Sequence, residues 1–179
     1  MTSDLIYSFP PIVDEYSRIL ILGTAPGNSS LDKGEYYVHP SNEIWKLIAF
    51  FCDQPVPKTY PEKNLLLKEA QIALWDICYS CDRKKSSLDS AIKNIIPNDI
   101  PAFLRKYPNI KVLAFNGRPT QMIYDRYFKR YKDITYISLY SSSSANIYSF
   151  EAKLETWHEL INHMDEKFRY PPDDRQAIQ

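Results

Sequence analysis

The chain has 179 residues, the size of one domain able to bury a substantial core without staples, and a single domain over 1–179 is expected. With 44% hydrophobic residues, 25% charged residues and no uninterrupted apolar stretch of about 18 or more, it reads as a soluble globular protein without a membrane span. Its 22 basic and 22 acidic residues cancel, so global charge gives no argument for a nucleic-acid partner and none against one.

In chain order, the opening MTSDLIYSFPPIVDE lacks the basic start, apolar middle and small-residue cleavage site of a secretory signal, and residence in the cytosol is the expectation. Arg18–Gly23 is the first run with a strand's length and continuous hydrophobicity. Three of the four glycines, Gly23, Gly27 and Gly34, follow it closely. Gly23-Thr24-Ala25-Pro26-Gly27 can turn tightly and bring backbone N–H groups close to a ligand. It is neither a G-x-G-x-x-G fingerprint nor a P-loop.

Tyr36, Tyr37 and Trp45 can stack on a planar ligand or pack in a core. Between them His39-Pro40 restrains the chain before a helix over 42–51, which Ser41 or Asn42 can cap. Asn42 has a second reading, because its amide can both accept a hydrogen bond from water and donate one to a base edge.

A helix over 62–70 leads to a second strand, Gln71–Ile77. Cys52, Cys78 and Cys81 are an odd set that suits a reducing compartment. Cys78-Tyr-Ser-Cys81 has redox or half-metal-site spacing, but no second pair completes four ligands, and no metal is expected. The run Asp82-Arg83-Lys84-Lys85 offers local basicity for a few phosphates, or is a solvated loop.

A helix over 99–106, a strand Ile110–Asn116, a helix over 118–129 and a strand Ile134–Leu139 follow. A last helix over 149–168 carries Leu154, Trp157, Leu160, Ile161 and Met164 at helical spacing. The tail 171–179, polar and proline-rich, is expected to be flexible. Strands alternating with helices imply parallel crossover units and a three-layer α/β/α sandwich around about four parallel strands. Ligands then belong at the carboxyl ends of the strands, near Gly23, 77–80, Asn116-Gly117 and 139–146. The last of these holds Ser141, Ser142, Ser143, Ser144 and Asn146 before a helix, where they can hold a phosphate or cap the helix.

Leu20–Trp45 resembles the first motif of the uracil-DNA glycosylase superfamily, and in particular its hypoxanthine-DNA (deoxyinosine) glycosylase branch. That branch has a Gly-small-x-Pro-Gly turn, a Ser-Leu, a Tyr-Tyr-x-His-Pro-x-Asn and a Trp, here Gly23, Thr24, Pro26, Gly27, Ser30-Leu31, Tyr36-Tyr37, His39-Pro40, Asn42 and Trp45. Ile72–Ile77 with Ser80-Cys81 and 87–92, Phe115-Asn116-Gly117, and Leu139 to Asn146 continue the resemblance, which runs from about residue 10 to 160. Where that branch has a Pro after Leu and another before Ala-Asn in the last motif, this chain has Tyr140 and Ser144.

The resemblance implies a monomeric glycosylase that needs no cofactor and removes a deaminated base, hypoxanthine foremost with uracil or xanthine as alternatives, from double- or single-stranded DNA. It implies a catalytic role for Asn42, as the superfamily's usual first-motif carboxylate and last-motif His are both absent here. It places the base against Gly23, Thr24, Ala25, Pro26, Gly27, Tyr37, Trp45 and Asn116, and the flanking phosphates on the serine loop. The same loops also suit a nucleotide- or nucleoside-handling hydrolase or a noncatalytic nucleic-acid-binding module. A serine hydrolase on Ser142 and His158 would lack the G-x-S-x-G elbow.

Overall fold

The computed structural model describes residues 5–84 and 92–169. The elements are β1 (Leu5–Tyr7), β2 (Ile19–Gly23), α1 (Asn28–Lys33), α2 (Ile44–Phe51), α3 (Tyr60–Ala70), β3 (Ile72–Asp76), β4 (Cys78–Arg83) and β5 (Ile92–Pro97). They continue with α4 (Ile100–Lys106), β6 (Val112–Asn116), α5 (Arg118–Tyr127), β7 (Thr135–Leu139), α6 (Phe150–Trp157), a 3-10 helix (His158–His163) and α7 (Glu166–Arg169).

The four continuous apolar runs pair in parallel in the order β3-β2-β6-β7. Successive side chains of a strand point to opposite faces. Ile19 and Ile21 of β2 therefore enter one apolar cluster, with α2, α3, Trp157 and Leu160, while Leu20 and Leu22 enter another, with α4 and Tyr124 of α5. Both faces of β2, β3 and β6 are covered, which is why these strands carry no polar alternation, whereas the edge strand β7 leaves Thr135 and Ser138 exposed. The result is the three-layer α/β/α sandwich expected from the pattern. Register aligns the strand ends, pairing Gly23 with Asp76 and Asn116 with Leu139.

Local signals start the helices. Thr59 and Glu62 form a reciprocal capping box on α3, with Pro61 in its first turn, Asp99 caps α4 through the Ala102 N–H, and Ser149 caps α6 through that of Ala152.

Two expectations are corrected. The single helix expected over 149–168 is divided into α6, the 3-10 turn and α7. Extended Met164 (φ −80°, ψ 168°) ends the 3-10 turn, after which the Asp165 carboxylate accepts from the Lys167 N–H as α7 begins. A 3-10 turn eclipses i and i+3, so Trp157 and Leu160 both stay buried despite the change of winding. The second correction is an additional antiparallel sheet, β1-β4-β5. Register shifts between Cys78 and Ser80 and between Ser80 and Asp82 break the period-two pattern of β4, which is why it did not read as a strand. Lys85, segment 87–91 of the resemblance and the tail 171–179 lie outside the described residues.

Candidate active site

The carboxyl ends of all four parallel strands, at Gly23, Asp76, Asn116 and Leu139, open into one cavity of about 800 Å³. This is the crevice that open parallel sheets offer to ligands.

Gly23 is required there by close approach. A Cβ at this position would sit 2.5 Å from Asp76 Oδ1 and 2.6 Å from the Tyr37 hydroxyl oxygen, so no side chain fits without moving both. Tyr37 holds a left-handed backbone (φ 51°), a conformation that costs a non-glycine residue of order 1 kcal/mol and persists where surroundings enforce it. The enforcement is visible. Trp45 Nε1 donates to the Tyr37 carbonyl at 3.0 Å, and Asn116 Nδ2 donates to its hydroxyl at 3.3 Å. Tyr36 turns the other way, into the core, where its hydroxyl donates to the Phe9 and Pro10 carbonyls. Burial pushes the Tyr36 phenol well up, and the negative charge of Asp76 pushes it further.

Asn42 also lines the cavity, together with His39. Its Oδ1 accepts from the Ile44 N–H at 3.1 Å, which fixes the amide plane at the entry to α2. Oδ1 retains a second lone pair and Nδ2 retains its donors. Thr24 and Ala25 line the cavity beside Gly27; the Thr24 hydroxyl meets that of Thr120 at 2.8 Å. Arg83 lies behind this loop, 5% exposed, donating to the Pro26 carbonyl at 2.6 Å and to Asn28 Oδ1 at 3.4 Å.

The opposite lip is the segment after β7. Asn116 grips Ser142 twice, accepting from its N–H at 2.8 Å and donating to its hydroxyl at 2.9 Å. The Ser142 carbonyl accepts from the Glu43 N–H. Lys153, 1% exposed, reaches from α6 to the Glu43 carboxylate and donates to the Ser143 carbonyl at 3.1 Å. The Ser144 hydroxyl meets that of Ser41 at 2.7 Å, and the latter meets His39 Nδ1 at 2.7 Å. Two lips far apart in sequence are thus joined through α2 and one ion pair.

The structure brings Gly23, Thr24, Ala25, Gly27, Tyr37, Asn42, Asn116, Ser141, Ser142, Ser143 and Asn146 to the cavity. Three expected contacts are corrected. Trp45 is buried in the core and supports Tyr37 from behind. Pro26 is not among the lining residues, and its carbonyl is engaged by Arg83. Ser142 lines the wall but is fully buried and committed to Asn116, so it presents no hydroxyl to an outside phosphate. Ser144 belongs to an adjoining cavity of about 300 Å³ that shares His39 and Asn42. His158 packs edge-on against Phe51 and does not line the cavity, so Ser142 and His158 form no hydrolase dyad. Within the basic run, Arg83 is buried rather than solvated.

Sequence reasoning missed Asp76, a carboxylate only 3% exposed on the cavity wall. The signal was present, since Asp76 falls at the end of the second predicted strand and closes β3, one residue before the stretch singled out there. It also missed Lys153, hidden within an ordinary helical pattern. Among the described residues no cluster of three or more His, Cys, Asp or Glu side chains suits a metal ion, and no helix is long and apolar enough to cross a membrane.

Residues 10–163 match the family model of the Uracil DNA glycosylase superfamily. A protein of Methanosarcina barkeri named Hypoxanthine DNA glycosylase is 33% identical over 154 residues, which cover 86% of this chain and 96% of that protein. One of the same name from Methanosarcina acetivorans is 30% identical over 158 residues, covering 87% and 97%. A solution NMR structure of a candidate uracil DNA glycosylase from Methanosarcina acetivorans superposes with a TM-score of 0.78 at 29% identity, covering 93% of this chain and 99% of that one.

Proposed function

The chain belongs to the uracil DNA glycosylase superfamily, and we propose that it is a DNA glycosylase that hydrolyses the N-glycosidic bond of a deaminated base, hypoxanthine foremost, in base excision repair. The relatives named Hypoxanthine DNA glycosylase support the choice of base. The single observation that carries the reading is the convergence of Asn42, Asp76, Asn116 and Tyr37 on the cavity wall around Gly23.

A base inside a duplex is out of reach, so the nucleotide must be extruded into a cavity. A volume of about 800 Å³ admits one nucleoside with room for water. The Tyr37 ring offers an aromatic face for the extruded base. Water adds to C1′ of the sugar, the electron pair of the glycosidic bond leaves with the base, and the proton of the water passes to base or solvent. Positive charge grows on the sugar ring and negative charge on the departing base.

Groups placed where charge develops accelerate such a step more than groups that merely bind. The Asp76 carboxylate offsets the charge on the sugar. Asn42 donates through Nδ2 to the base and accepts from the attacking water through Oδ1. Asn116 sets the hydroxyl of Tyr37. Backbone N–H groups of Thr24, Ala25 and Gly27 meet the sugar and its phosphate. The resulting strand carries an abasic site, and further processing falls to other enzymes.

The test is to incubate the protein with single- and double-stranded oligonucleotides, each carrying one hypoxanthine, uracil or xanthine, alongside free inosine. Alkali-sensitive sites arising in the hypoxanthine strands, with inosine left intact, are the expected result. Cleavage of inosine with no attack on any strand would move the activity to nucleosides, and binding without base release would make the protein a noncatalytic module.

A further inference from the structure

Beside the cavity lies an aromatic pair that the proposed chemistry does not use. Tyr140 and Tyr148 stack with ring centroids 3.7 Å apart and planes within 1° of parallel. Every other ring pair among the described residues has its centroids 4.8 Å or more apart. Phenol rings ordinarily prefer offset or edge-on contacts, because their quadrupoles repel face to face. The spacing found here is close to the roughly 3.4 Å step between stacked bases of a nucleic acid.

The two rings are held unequally. Tyr140 is fastened at its backbone, its carbonyl accepting from Trp157 Nε1 at 2.9 Å and its N–H donating to the Thr156 hydroxyl at 3.0 Å. Tyr148 sits on the loop and is 40% exposed, next to Ile147, which is 94% exposed. Both tyrosines line the main cavity. An aromatic stack anchored at one end, open at the other and continuous with a nucleotide cavity has the form of a stacking platform.

We propose that the Tyr140–Tyr148 stack receives the base adjacent to the extruded nucleotide on the same DNA strand. Extrusion leaves that neighbour with one bare face, and the outer face of Tyr148 covers it. In a duplex the opposite strand still holds the neighbouring base, whereas in a single strand nothing else does. The platform therefore matters most for single-stranded DNA and extends the enzyme's range to it. This inference rests on the glycosylase reading of the cavity.

The experiment uses single-stranded oligonucleotides with a 2′-fluoro-deoxyinosine target, whose glycosidic bond resists hydrolysis, and 2-aminopurine either beside it or several nucleotides away. Stacking on a tyrosine quenches 2-aminopurine. The wild-type protein should quench the adjacent probe but not the distant one, and Tyr148→Phe, which keeps the ring, should bind the single strand as tightly as the wild type. Tyr148→Leu and Tyr148→Ala should lose that quenching and bind the single strand roughly 5- to 150-fold more weakly, the span of one lost base-aromatic stack. Duplex affinity should change less, and the melting temperature should stay within about 2 °C, as for an exposed side chain.

Equal fluorescence from the wild type, Tyr148→Leu and Tyr148→Ala, absence of quenching by the wild type, or equal quenching of the adjacent and distant probes would overturn the platform. Base release from natural deoxyinosine strands by the wild type is scored separately. Its failure would remove the glycosylase reading, while the fluorescence decides the platform by itself.

Discussion

On one side of the cavity the 23–42 segment is fastened by groups that reach into the core, namely Arg83 on the Pro26 carbonyl, Trp45 on the Tyr37 carbonyl and Tyr36 on the Phe9 and Pro10 carbonyls. On the other side the 139–149 segment is fastened by Trp157 and Thr156 on the Tyr140 backbone, Asn116 on Ser142 and the Lys153 ammonium on the Ser143 carbonyl, and it ends in the exposed Ile147 and Tyr148. The first lip is held along its length, with its reactive side chains at fixed points. The second is held at the backbone only over Tyr140–Ser143 and then leaves an aromatic edge open. Chemistry belongs on the rigid lip, because misplacement of a reacting group by about 1 Å costs as much as 10²-fold in rate. Gripping DNA suits the lip whose surface can adjust.

The sharpest break in this comparison is at Asn42. Asn42→Ala should slow single-turnover release of hypoxanthine by about 10²-fold or more, the effect of losing one positioned catalytic group, with DNA affinity little changed. Rapid-quench kinetics at saturating enzyme measure this. If the amide serves only the turn onto Ile44, the rate stays normal and the melt reports a loss of about 1 kcal/mol.

Gly23→Ala comes next. Its methyl group would meet the Asp76 carboxylate and the Tyr37 hydroxyl at under 3 Å, and both are held by neighbours. A fall in base release of roughly 10-fold or more, with about 1–3 kcal/mol of overpacking strain, is expected. A variant with normal kinetics would show that the rigid lip is softer than its contacts indicate.

The glycine-rich segment also shows how far the sequence could be read. Glycine clustering pointed to a close backbone approach, and at Gly23 the approach is real. At Gly27 the backbone is extended (φ −70°, ψ 168°), which any residue adopts, so no backbone conformation calls for glycine there. The parallel sheet was legible because burial on both faces leaves uninterrupted apolar runs, and the site was legible to the extent that strand ends define it. Trp45 was not, because an aromatic residue reads the same whether it faces a ligand or holds the residue that does. Lys153 was not, because its partner Glu43 lies 110 residues away, a distance that local periodicity never spans.

Lys153→Met tests the tie between the lips. Glu43 keeps 24% of its side-chain surface exposed, so water relieves part of the cost of removing its partner. A loss of about 2 kcal/mol, below the 3–5 typical of fully buried pairs, and a fall in melting temperature of roughly 4–8 °C are expected. DNA affinity should fall with it, as Ser143 loses its anchor, whereas the chemical step at saturating enzyme should be nearly preserved. Equal damage to both would mean that the two lips act as one unit.

The smallest effects separate the serines. Ser142 has no exposed surface, and its hydroxyl accepts from Asn116 Nδ2 at 2.9 Å. Ser142→Ala removes a buried acceptor and should cost about 1 kcal/mol in a thermal melt, with DNA affinity almost unchanged. Ser144 is exposed, and among the described residues its hydroxyl meets only that of Ser41. Ser144→Ala should cost under about 0.5 kcal/mol. A hydroxyl on the open side of the loop is available to a phosphate oxygen, so the same substitution should weaken duplex binding by about 3- to 10-fold, a typical net hydrogen-bond contribution. Ser144 carries no charge and displaces no counterion, so the salt dependence of binding should keep its slope. Paired melts and salt titrations read both variants. If Ser142→Ala instead weakened DNA binding while the melt held, its hydroxyl would have to leave Asn116 for the phosphate, and the second lip would open on binding.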